Sequence, residues 1–139
     1  MATEFDSTKW GAYIAIPFQK SNLTTGASAE DLALAGAGTL FCAPAAGSII
    51  GISAVTAAIT AGTITLNAHK NSVEFTQSGA PAAVLSSDFD TNGTFATVRP
   101  GAVTFAAGDT LGISATTTTT LNPTNTLDAD AVLIIQLNA

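Results

Sequence analysis

The densest run of ion-binding side chains in the chain is SDFDTNGT, from Ser87 to Thr94. It reads D-x-D-x-N-G at Asp88, Asp90, Asn92 and Gly93, which is how an EF-hand loop begins. Oxygen donors at alternate positions can wrap one hard cation, and the glycine permits the sharp turn. The twelfth position of such a loop should bring a bidentate glutamate, but here it is Arg99, and no flanking helix is expected. The segment therefore reads first as an Asx-rich hairpin turn. Asp88, Asp90 and Asn92 remain as weak calcium candidates, and no other cofactor or metal is implied.

Other reactive groups are few. Asp128 and Asp130, in LDADA, could in principle share acid–base work, but a glycosidase pair needs a cleft with sugar platforms. A solvated strand edge is the plainer reading of these two carboxylates. His69 is the sole histidine. It lies in AHKNS, where an exposed turn is expected, and no carboxylate or thiol lies within four residues of it. Cys42 is the sole cysteine, so no intrachain disulfide can form, and its setting in LFCAP reads as a buried, inert thiol. No G-x-S-x-G elbow occurs. The tripeptides at Asn22 and Asn92 match the glycosylation sequon, but no leader accompanies them and they read as chance. No catalytic residue is named, and an enzyme is not expected.

Composition points the same way. Charged residues make up 10% of the 139-residue chain and hydrophobic ones 47%, with a mean hydropathy of +0.41. An average globular protein carries roughly 25% charged residues. Large uncharged surfaces tend to associate, so a partner or further copies of the chain should cover part of this one. The net charge is −6. The four cations, Lys9, Lys20, Lys70 and Arg99, are scattered, so no basic stripe exists for nucleic acid or for an anionic membrane. The N-terminus lacks the basic and apolar regions of a secretory signal, and no apolar run approaches the ~20 residues of a membrane helix.

The elements that must position these groups are strands. Threonine occurs 22 times and glycine 12 times, and long polar helix formers are nearly absent. Ile64, Leu66 and Ala68 alternate with threonine and asparagine. Leu111, Ile113 and Ala115 alternate with Thr110, Gly112 and Ser114. Phe95, Thr97 and Arg99 oppose Ala96 and Val98. Period two marks half-buried antiparallel strands. SIIGISAVTA and AVLIIQL are more continuously apolar and read as central strands, covered on both faces or facing a subunit contact. Strands are expected near 12–17, 38–43, 48–57, 62–69, 73–77, 94–98, 102–105, 109–116 and 131–137, separated by Gly-, Asn- and Pro-bearing turns. GASAEDLALAGA, 26–37, allows at most one short helical turn capped by Ser28. The five threonines Thr116–Thr120 read as the polar exit of a strand. These features specify an all-β chain: an antiparallel two-sheet β-sandwich of jelly-roll type. It comprises a single domain, 12–139, preceded by an extended N-terminal arm, 1–11, with an Ig-like sandwich as the alternative.

The order APAAGSIIGISA, then the TAGTITLNAHKNS hairpin, then FAAGDTLGISATTTTTLNP, an acidic residue and a final apolar strand resembles small jelly-roll virion proteins of tailed bacteriophages. The closest resemblance is to head decoration (cement) proteins. The F-x-x-G-D-x-L-x-I segment is also similar to trimeric jelly rolls of the C1q/TNF type. The resemblance covers roughly residues 38–139. It implies a non-enzymatic homotrimer, made in the host cytoplasm, that binds the capsid exterior and clamps neighbouring major capsid subunits. On that reading Phe5, Trp10 and Tyr13 are expected to contact the shell, because aromatics bring large apolar area to interface centres. Val132, Leu133, Ile135 and Leu137 are expected at the trimer interface. A receptor- or carbohydrate-binding tip of a phage fibre or tail is the alternative function.

Overall fold

The computed structural model describes residues 12–34, 38–75, 80–86 and 93–138. The arm, 1–11, with Phe5 and Trp10, lies outside them. So do Asp88, Asp90 and Asn92 of the candidate calcium loop.

Among the described residues twelve strands form: β1 Tyr13–Lys20, β2 Glu30–Asp31, β3 Ala33–Leu34, β4 Phe41–Cys42, β5 Gly47–Thr56, β6 Thr63–Lys70, β7 Val73–Glu74, β8 Ala82–Ser86, β9 Thr94–Thr97, β10 Thr104–Phe105, β11 Thr110–Thr117 and β12 Ala129–Leu137. The first sheet runs β10-β5-β12-β1-β3, with β9 also on β5; the second runs β2-β11-β6-β7, with β4 on β11 and β8 on β6. All pairings are antiparallel. Sheet neighbours are distant in sequence, as β1 beside β12 and β2 beside β11 show, because the chain crosses repeatedly between the sheets. That is the jelly-roll arrangement.

Alternation decides what lies between the sheets. Ile64, Leu66 and Ala68 of β6 and Leu111, Ile113 and Ala115 of β11 are buried. They face Ile49 and Ile52 of β5 and Leu133 and Ile135 of β12 from the other side. Each such side chain contributes about 1.5–3 kcal/mol by leaving water. Pro17 interrupts β1 without breaking it. Its ring removes one donor, which a strand tolerates near a sheet edge, and between Tyr13 and Pro17 only β12 pairs with β1 among the described residues.

Two expectations need correction, and the allowance of at most one short helical turn over 26–37 resolves to none among the described residues of that segment. The segment is extended, as β2 and β3, so that Leu32 enters the core and its N–H donates to the Ile113 carbonyl at 2.9 Å. Cys42 is exposed. It falls on the outward phase of the two-residue strand β4, while Phe41 is half-buried. An additional strand, β8, pairs with β6 from Ser86↔Thr63 to Ala82↔Asn67.

The threonine run does more than leave the sheet. Thr117 is buried and its hydroxyl donates to the Thr24 carbonyl at 2.5 Å, while its oxygen accepts from the Ala27 N–H at 2.9 Å. Thr116 accepts from Ala29 N–H and Thr118 from Thr63 N–H. The Thr116 and Thr117 hydroxyls thus satisfy backbone donors of the 24–29 loop, which has no ladder of its own there, and the Thr118 hydroxyl satisfies the first N–H of β6. At the loop's far end burial pushes the Glu30 carboxyl up, but the Thr24 N–H, Lys20 and the Thr24 hydroxyl together hold it below the ordinary value. The Lys20 Nζ lies 3.3 Å from it.

Asp109 closes the turn before β11. Its carboxylate accepts from the Ala106 N–H at 2.8 Å and from the Asn71 side-chain amide at 3.0 Å. These two bonds, the Ala106 one foremost, hold its pKa below the ordinary 3.8. A depressed carboxyl stabilises the fold above its unfolded pKa and ceases to do so as pH falls through the folded value. Asp109→Asn should therefore lower the melting temperature at pH 7, and the difference from the parent should close as pH falls from about 5 to below 3. Parallel melting curves across that range would refute the assignment.

Candidate functional site: the open face of the first sheet

Among the described residues, the polar side chains that sequence spacing singled out do not assemble into a reactive centre. His69 is 2% exposed rather than lying in a turn. The turn begins two residues later, where Asn71 and Ser72 have φ of 51° and 66°. His69 closes the outward phase of β6 and its ring lies against Gly112. Nε2 is 3.3 Å from an Asp31 carboxylate oxygen, yet neither ring nitrogen makes a properly oriented hydrogen bond. The approach is a contact rather than a hydrogen bond. Ser114 lies on the same outer face and donates to Glu74. A serine, a histidine and two acids thus share a patch, but the serine is bonded away from the imidazole. Nucleophile–base contact, the first requirement of such chemistry, is missing. No group of three or more metal-ligating side chains comes together among the described residues. Asp128 accepts the Asn22 N–H at 2.9 Å, and Asp130 is on the other face of β12's ladder from the core.

The outer face of the first sheet is open among the described residues. Register defines it in rows. Gln19, Asp130 and Val55 lie side by side on β1, β12 and β5. The next row is Pro17, Val132, Ser53 and Phe95, and the third is Ala15, Ile134, Gly51 and Thr97. Tyr13 and Gln136 begin the fourth. Phe95 is 76% exposed, Tyr13 61% and Val55 41%. Between Phe95 and Pro17 runs an open groove of about 740 Å³, whose lining includes Gln19, Ser53, Val55, Asp130 and Val132. The one charge in it is Asp130. The side chains of Gln19, Ser53 and Asp130 make no hydrogen bond or ion pair among the described residues.

The expected interface residues divide by phase. Val132 is on the open face, whereas Leu133 and Ile135 point inward and are fully buried, and Leu137, on the same inward phase, is partly buried and packed against the core. Neither Leu133 nor Ile135 offers surface to a partner. Tyr13 shares the open face with Val132. Val55, Pro17 and Gln19 were not singled out by sequence spacing, Asp130 was weighed only as half of a carboxylate pair with Asp128, and Phe95 was placed only in an alternating strand. The alternation Phe95–Thr97–Arg99 carried the signal, because it placed a phenylalanine and an arginine together on one side of a short strand.

Fold and face together define a jelly-roll sandwich with one broad, nearly uncharged sheet surface and no assembled catalytic group among the described residues. No known protein family matches the chain, and no curated protein matches it. Its fold is similar to that of a chain in the cyanophage Pam1 capsid asymmetric unit, with a TM-score of 0.54 and 13% identity over 99% of this chain and 90% of that one. At that identity the likeness is one of fold.

Proposed function

We propose that this chain is a non-enzymatic structural protein of a phage virion. It attaches to the capsid exterior as a homotrimer and stabilises contacts between major capsid subunits. The observation that carries the reading is the open apolar face, on a fold similar to a chain of a phage capsid. A face of this kind does no chemistry and loses water only by meeting another surface. On this reading Val132 contributes to the contact between copies, and Tyr13 with the arm residues Phe5 and Trp10 contacts the shell. Each protomer binds weakly, and linking three gains about 10²–10⁴ in avidity from effective concentration alone.

Deleting residues 2–10 should leave a folded protein that no longer sediments with purified capsids. Retained co-sedimentation would sink the arm's role. One observation favours a second reading, a carbohydrate- or receptor-binding tip: the groove sets an exposed aromatic ring near an unengaged carboxylate and amide. Specific glycan-array binding abolished by Asp130→Ala, with no capsid binding, would establish that reading instead.

A further inference from the structure

We infer that the groove on the outer face of the first sheet takes a lysine side chain presented by a partner protein. Recognition of this kind holds whatever assembly the chain joins, so it stands apart from the virion reading.

The groove brings together three hydrogen-bond acceptors and no cation. Gln19 of β1 and Asp130 of β12 are direct cross-strand neighbours, which puts their Cβ atoms about 5 Å apart. Ser53 of β5 is opposite Val132, two residues along β12 from Asp130. That places it on the diagonal from the carboxylate, at about 7 Å. All three line the groove, and their side chains make no hydrogen bond or ion pair among the described residues. The cations of the described residues are engaged elsewhere or point elsewhere. Lys20 lies 3.3 Å from Glu30 and Lys70 lies over the Phe75 ring. Arg99 comes two residues past the end of β9, whereas the groove meets β9 at its start, Thr94 and Phe95.

A primary ammonium has three donors and no acceptor. The Asp130 carboxylate supplies the counter-charge, and the Gln19 amide oxygen and the Ser53 hydroxyl oxygen accept the other two protons. Phe95 pairs directly with Ser53 and is 76% exposed, so its ring stands beside the same point. A cation within about 6 Å of a ring centre is attracted to its face. Val55, beside Asp130, with Val132 and Pro17, forms the apolar wall along which a lysine stem loses water. Three separate acceptors suit an ammonium better than the flat fork of a guanidinium, which seeks paired oxygens. The open apolar surroundings suit an ammonium carried on a protein surface rather than a free amine, because only a covering surface takes Phe95 and Val55 out of water. A net charge of −6 draws a basic surface in from a distance.

The test follows the backbone amides of the full chain by NMR as acetyl-Gly-Lys-Gly-amide is added. The same peptide acetylated at Nε, which keeps the stem and loses the charge, is the control. The lysine peptide should shift the amides of Gln19, Ser53, Phe95, Asp130 and Val132 to saturation. The acetylated peptide should bind about tenfold more weakly, the effect of losing one hydrogen bond between charged groups. Asp130→Asn, at an exposed position, should remain folded and remove that preference, and added salt should weaken the lysine peptide alone. Equal binding of the two peptides, no saturable shift, or a preference that survives Asp130→Asn overturns the inference. So does a lysine peptide that binds only after Lys9→Gln, because the chain's own arm would then fill the groove. A neutral methyl glycoside that shifts these amides where the lysine peptide does not overturns it in favour of a sugar. None of these readouts uses capsids, so failure here leaves the virion reading standing, and loss of capsid co-sedimentation leaves this recognition standing.

Discussion

Leu133→Asp should yield no folded protein, whereas Val132→Asp, one residue earlier, should fold. Leu133 is fully buried in β12, which lies between β1 and β5 at the centre of the first sheet. Removing its side chain costs about 2–5 kcal/mol. Placing a carboxyl there without a partner adds several more, whether it stays charged or is forced to take up a proton. The sum rivals the entire stability of an ordinary domain, about 5–15 kcal/mol. Val132 instead faces the groove with Ser53 and Pro17 as cross-strand neighbours. An added carboxylate there stays in water, and its cost to the protomer should stay below about 1 kcal/mol. Circular dichroism and urea unfolding of the two variants decide the matter. Two folded proteins, or two unfolded ones, would show that the phase of β12 is wrong. Val132→Asp should in addition dissociate copies that meet on the open face, so one substitution separates folding from association.

The same phase argument explains how much of the fold was legible. β6 and β11 were readable because Ile64/Leu66/Ala68 and Leu111/Ile113/Ala115 repeat at period two against threonine and serine, and all six are buried, but the pattern did not show that His69 on β6 and Gly112, Ser114 and Thr117 on β11 are buried as well. AVLIIQL was readable as a strand but not in its facing, because Val132, Ile134 and Leu133, Ile135 are equally apolar. Only the pairing with β1 and β5 distinguishes inside from outside. That is why Leu133 and Ile135 looked like interface residues. β8 was illegible for a related reason: AAVLS contains one large residue on its buried phase, Leu85, beside a small Ala83. Such a strand is held by its ladder to β6 rather than by its own pattern.

Of the open face, sequence spacing identified Val132 and Tyr13 but not the groove. Pro17, Ser53, Asp130 and Phe95 come from four strands scattered over most of the chain, and a row across a sheet exists only once the register does. His69 failed in the opposite direction. Its neighbours Lys70, Asn71 and Ser72 resemble a turn, and the strand before them ran further than its composition suggested. Its burial on an outer sheet face depends on β2 and on residues near Thr39, which are remote in sequence.

That burial constrains Gly112, on the outward phase of β11. Its backbone is not in the left-handed region, so the requirement for glycine is one of space. A methyl group there would sit 2.4 Å from Cε1 and 2.6 Å from Nε2 of His69, and 2.9 Å from the Thr39 carbonyl oxygen. His69 cannot step aside, since it is walled in on the Asp31 side at 3.3 Å. Gly112→Ala should therefore destabilise the protein by about 2–3 kcal/mol, the range for forcing an extra carbon into a packed site. The ring is the principal obstacle, so the penalty should depend on it. In a His69→Ala background the same substitution should cost under about 1 kcal/mol, the remainder reflecting the Thr39 carbonyl. Such a coupling is of the size found for residues in direct contact. Denaturant unfolding of the parent, both single variants and the double variant measures it. Equal penalties in the two backgrounds would show that the imidazole does not occupy this slot, and with it would go the placement of His69 inside the second sheet's outer layer.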